Sequence, residues 1–103
     1  MRDLRFVKTL TYYDITTGFL IIPYEEFGEK VLEKKDTTIS VVDDCGNKWD
    51  CMLIYVSFPN KHFKIGGEWK RMVAARRIAV GDVIELFGRT DTKSESLYLI
   101  LHH

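Results

Sequence analysis

The sequence predicts a mainly β domain: about seven short strands and two short helices, curled into a closed or nearly closed antiparallel barrel whose open ends the helices plug. Three observations carry this. Runs rich in β-branched and aromatic residues are short and evenly spaced, turn residues punctuate them, and only two stretches place apolar residues at helical spacing. With 103 residues, 46% of them hydrophobic and 13% aromatic, the chain can bury one apolar core and is too short for two ordinary domains. A single domain over residues 1–103 is expected, its ordered core running from about 5 to about 101.

The elements follow in order. Phe6, Lys8 and Leu10 alternate with Val7 and Thr9 as in a strand, and Gly18 to Ile22 make a second, with a polar and aromatic loop between. Pro23 ends that strand and opens a helix over Tyr24 to Leu32, where Phe27, Val31 and Leu32 share a face and Glu25 and Glu26 suit the first turn. Thr37 to Val42 and Lys48 to Ser57 form a hairpin around Asp43-Asp44-Cys45-Gly46-Asn47, which has turn chemistry. Pro59-Asn60 breaks the chain before a brief strand, His62 to Ile65. Gly66-Gly67 precedes a second helix in which Trp69, Met72 and Val73 share a face. Val80-Gly81-Asp82 turns into Val83 to Phe87, and a polar link from Gly88 to Ser96 leads to the last strand, Leu97 to Leu101. Trp49 and Trp69 are expected in the core, and Asp82 is expected to fix its turn by accepting backbone hydrogen bonds.

Several function classes are set aside. No run of 18 apolar residues is present, so no membrane partner is expected, and no signal-type apolar core follows Met1. Cys45 and Cys51 are too few for a disulfide scaffold and fit a reducing compartment. With His62 they lack a fourth ligand for structural zinc, so no metal or cofactor is expected. The sequence has no Gly-x-Ser-x-Gly, and Glu68-Trp69-Lys70 is a nuclease-like pattern that Glu33-Lys34-Lys35 matches equally well, so no enzyme is expected. His102 and His103 receive no functional weight.

Formal net charge is zero, which excludes coating of nucleic acid by bulk charge alone. The distribution is uneven, however. Residues 1–50 hold 7 basic and 10 acidic side chains, 61–80 hold 6 and 1, and 81–103 hold 2 and 4. Within the basic block, Lys70, Arg71, Arg76 and Arg77 read as a solvated helix face. Lys61 and Lys64 flank Phe63, and both ammonium groups are expected on one side of the strand with the ring toward the core, an arrangement suited to phosphate oxygens.

The stretch Gly67-Glu68-Trp69-Lys70-Arg71-Met72-Val73, followed by Ile78-Ala79-Val80-Gly81-Asp82-Val83-Ile84-Glu85-Leu86-Phe87, resembles the plant B3 DNA-binding domain. Asp43 or Asp44, Gly46 and Trp49 are similar to the family's hairpin, and Phe6-x-Lys8-x-Leu10-Thr11-x-x-Asp14 to its opening. The first loop partly resembles the auxin response factor branch through Lys8-Thr9-Leu10-Thr11 and Thr17-Gly18-Phe19, but Tyr12-Tyr13 and Tyr24-Glu25-Glu26 depart from it. The divergent reproductive-meristem branch is the better comparison. The resemblance implies a seven-stranded open pseudobarrel that grips the major groove of double-stranded DNA with two arms, in a nuclear transcription factor of a plant. The first arm is then Lys8, Thr11, Tyr12, Tyr13, Thr16 and Thr17, and the second Asn60, Lys61, His62 and Lys64. The alternative is a B3-like fold that has lost DNA binding and engages protein partners, for which the neutral net charge and the acids after Pro23 speak.

Overall fold

The computed structural model describes residues 3–103; Met1 and Arg2, and with them the start of the expected domain, lie outside the described residues. Seven strands, β1 (Asp3–Thr9), β2 (Leu20–Pro23), β3 (Thr37–Asp43), β4 (Lys48–Val56), β5 (His62–Gly67), β6 (Val83–Arg89) and β7 (Ser96–His102), form one curled sheet in the order β1-β6-β7-β3-β4-β5-β2. Helix α1 is Tyr12–Thr16, α2 the single turn Glu29–Val31, and α3 Trp69–Ala75.

Alternation along the strands sends one face inward. Leu53 of β4, Phe63 and Ile65 of β5, and Ile84 and Leu86 of β6 are almost wholly buried. Trp69 and Met72 of α3 and Phe27 join the same core. Because β1 and β2 are the two ends of the sheet order, the barrel has an open seam between them. Pro23 is tolerated as the last residue of β2 because an edge strand has one side without ladder partners.

The expected strands are all present, and three expectations need correction. The sheet is mixed, since β3 and β7 run parallel, from Ser40 beside Ser96 to Asp43 beside Leu99. The helix expected over Tyr24 to Leu32 is mostly absent. Glu25 is extended (φ −59°, ψ 141°) and Glu26 takes φ 64°, ψ −98°, so Tyr24–Gly28 is a kinked turn and only Glu29–Val31 is α-helical. The apolar spacing that predicted a helix is satisfied by that turn, which still buries Phe27, Val31 and Leu32. Conversely, the opening loop holds α1, started by Thr11 and Asp14 in a reciprocal capping arrangement.

Candidate nucleic-acid interface

The first arm is built around Asp14, which is fully buried. Its carboxylate accepts from the Thr11 backbone N–H (2.9 Å) and hydroxyl (3.0 Å), the Ile21 N–H (3.1 Å) and Lys8 Nζ (3.0 Å). Lys8 Nζ also donates to the Ile21 carbonyl at 2.8 Å, so one side chain of β1 reaches across the seam to β2. The buried indole Nε1 of Trp69 donates to the Asp14 carbonyl at 2.9 Å, anchoring α1 on α3. At the corner, Gly18 takes φ +83°, which a side chain would strain. The Phe19 ring lies against Gly66 so closely that a Cβ there would come within 2.8 Å of it.

The second arm is the loop from Ser57 into β5. His62 and Lys64 occupy the outward positions of β5, with Phe63 and Ile65 inward. Lys61 precedes the strand, so strand alternation does not orient it as expected; instead its ammonium lies over the Tyr24 ring, 5.0 Å from the centroid. Lys64 sits over Phe19 at 5.4 Å and Tyr13 at 6.0 Å. Such contacts leave the cation's outer side open to a further ligand.

Between the arms lies a groove of about 620 Å³. Lys8 and Tyr13 of the first arm and Asn60, Lys61, His62 and Lys64 of the second line it, with Phe6, Ile21, Pro23 and Glu25. Four expected site residues are not on its wall. Tyr12 is 73% exposed on the outer side of α1. Thr11 is committed to capping, accepting from Asp14 N and donating to its carboxylate. Thr16 and Thr17 donate their hydroxyl protons back to the carbonyls of Tyr12 (2.8 Å) and Tyr13 (2.6 Å). Both are exposed; Thr16 offers an outside ligand two acceptor lone pairs, and Thr17, whose oxygen also accepts from the Phe19 N–H at 3.3 Å, offers one.

Several cations elsewhere are matched by acids. Arg5 pairs with Glu85, Arg71 with Glu68, and Arg89 with Asp91. Arg76 meets Asp43 (3.2 Å) and Asp44 (2.9 Å) in the β3–β4 turn, tying the end of α3 to it. Burial would raise the Asp43 carboxyl, but hydrogen bonds from Trp49 and the Asn47 and Cys45 N–H groups, with the Arg76 charge, hold it below the usual range. Asp44 is likewise lowered: Arg76 and the Leu101 N–H outweigh its desolvation. Asp82 Oδ2 accepts from the Ala79 N–H at 2.9 Å, closing the turn before β6.

Two basic residues of this region escape a reading of the sequence. Lys34 lies over Tyr24 (5.5 Å) and Tyr55 (6.0 Å), beside the place Lys61 takes, and the stem of Lys70 runs against Gly18. Lys34 is remote from both arms in sequence, and Lys70, although inside the basic block, reads there as part of a solvated helix face, so no local pattern assigns either to the arms. Among the described residues, Lys34, Lys61, Lys64 and Lys70 have no carboxylate within ion-pair distance.

No family model matches the chain. A B3 domain-containing protein of Oryza sativa subsp. japonica is 32% identical over 90 residues, which are 85% of this chain and 36% of that protein, so the chain spans about a third of its relative's length. Among solved structures, the Arabidopsis FUS3–DNA complex matches 99% of this chain and 98% of its own at 19% identity, with a TM-score of 0.76. A hypothetical Arabidopsis thaliana protein matches 98% and 91% at 19% identity, TM-score 0.76. The complex of the Arabidopsis thaliana transcription factor LEC2 with DNA matches 97% and 94% at 13% identity, TM-score 0.71. The structural likenesses establish the pseudobarrel fold over nearly all of the described residues, the rice relative supplies the sequence tie, and the chain is therefore a B3-type domain.

Proposed function

We propose that the domain binds double-stranded DNA by setting the two arms into the major groove, as a module of a nuclear plant transcription factor. The observation that carries this reading is the groove, where side chains of both arms meet and where Lys61 and Lys64 rest on aromatic faces with no carboxylate partner among the described residues. A major groove about 12 Å wide admits a β-ribbon. Phosphate contacts supply much of the affinity, and they need cations that are not already neutralised. Lys61, Lys64 and Lys34 meet that condition. Lys8, paired with Asp14 and the Ile21 carbonyl, instead holds the first arm in place. Two solved relatives of the same fold are complexes with DNA, which supports the reading.

A salt titration of binding to several duplexes tests it. Replacing Lys61 and Lys64 with Ala should weaken binding to all sequences alike and flatten the log–log salt slope by about one per lost contact. Replacing Thr16 and Thr17 with Ala should leave the slope and change which duplex is preferred, since their open lone pairs can accept from base amino groups. An unchanged slope in the lysine variant removes the second arm from the interface. If random duplex DNA at low salt shifts no NMR resonance of the parent, the DNA reading fails and the protein-interaction alternative stands.

A further inference from the structure

Among the described residues, Glu25 is the one carboxylate on the wall of the groove, beside Lys8, Lys61, His62 and Lys64. Among the described residues it has no ion-pair partner, whereas the adjacent Glu26 pairs with Lys30. The register explains its position. β2 and β5 pair as far as Pro23 beside His62, and just beyond that pair the chain carries Glu25 past the start of β5. The backbone there is unusual as well. Glu26 holds φ 64°, ψ −98°, a conformation that costs a non-glycine residue free energy and that makes the chain reverse directly after Glu25.

An acid at this place works against binding a polyanion unless something on the DNA satisfies it. A carboxylate accepts and does not donate. Along the major-groove edge the only donors are the exocyclic amino groups, N4 of cytosine and N6 of adenine, and acidic side chains pair characteristically with the cytosine group. Resting on the DNA-binding reading above, we propose that Glu25 is a specificity-determining residue whose carboxylate accepts a hydrogen bond from a base amino group, cytosine N4 first. The lysines around it draw in the phosphates, and Glu25 makes the groove discriminate among the bases it meets.

Selection of bound duplexes from a random library, run with the parent, Glu25→Ala and Glu25→Gln at one salt concentration, tests this. Glu25 is exposed, so the variants should melt like the parent. In the parent, one position should favour cytosine. Glu25→Ala should flatten that position alone, losing roughly tenfold in discrimination, and Glu25→Gln should move it toward adenine, which an amide can bind through N6 and N7. If the parent favours adenine there, duplexes carrying purine or 2-pyrimidinone, which lack the amino group, identify the donor. Such a base should weaken the parent and leave Glu25→Ala unaffected. Variants that keep the parent's preference and bind every duplex more tightly would overturn the proposal and make Glu25 a simple repellent of phosphate. A parent that binds without base preference overturns it too while leaving DNA binding intact, and a parent that binds no DNA overturns both.

Discussion

Asp14 concentrates more of the first arm's geometry than any other residue, because its four acceptor contacts join β1, the start of α1 and β2. Removing a buried carboxylate leaves Lys8 without its counter-charge and two backbone N–H groups without a partner. Asp14→Ala should therefore cost about 3–5 kcal/mol, read from chemical unfolding. Lys8→Ala should likewise lower stability along with DNA affinity, whereas Lys61→Ala should lower affinity at parental stability. Equal stability of the two lysine variants would show that the Lys8 bridge is not structural. Trp69→Ala should cost about 3–5 kcal/mol, as large-to-small changes in a core do. Trp69→Phe should cost less, mainly through the hydrogen bond to the Asp14 carbonyl. Cys51 is inert by the same logic of burial, its thiol pushed up to about 12 by desolvation and, secondarily, by Glu68 and Asp50.

Between elements, the Arg76 network gives stability a dependence on pH. The carboxyls of Asp43 and Asp44 sit below their ordinary values in the folded state, so the unfolded chain binds protons first as pH falls. Their contribution is complete above the unfolded carboxylate value, about 3.9, and disappears as pH drops through the lowered folded values. Arg76→Met should destabilise the domain by about 3 kcal/mol near neutrality. Denaturant unfolding from pH 7 downward should show the gap between parent and variant closing only below about pH 4; a constant gap would mean that Arg76 acts through packing of its stem. The strands were legible because Gly46, Pro59 and Gly81 punctuate runs whose alternation matches their burial. The Tyr24–Leu32 stretch misled because Phe27, Val31 and Leu32 satisfy helical spacing, while the positive φ of Glu26 leaves no trace in a glutamate. Helix α1 was readable in part, since Thr11-x-x-Asp14 is a capping pattern with Asp in the place of Glu. Lys34 and Lys70 were not, because what places them is tertiary: the rings of Tyr24 and Tyr55, and the gap at Gly18.

At the scale of the molecule, two arms from distant parts of the chain must stand at a fixed separation if both are to enter one groove. The open seam leaves that spacing to a few contacts: the Lys8 bridge, the ladder of β2 with β5, and the stack of Phe19 on Gly66. The last can be changed without touching a charge. A methyl group at residue 66 would come within 2.8 Å of Phe19 Cε1 and 3.0 Å of Cδ1, so the ring must move. The Lys64 ammonium over that ring and the Gly18 corner beside it would move as well. Gly66→Ala should therefore cost a modest amount of stability, about 1–3 kcal/mol, as overpacking does. Its effect on DNA affinity should be larger at low salt than any loss of folded protein explains. Every lysine remains available, so the salt slope should stay near that of the parent, unlike the slope of the Lys61→Ala/Lys64→Ala variant. Thermal melts and the salt titration together separate the cases. If Gly66→Ala binds like the parent once folded, the arms adapt to DNA independently, and the rigid spacing through Phe19 is not what the groove requires.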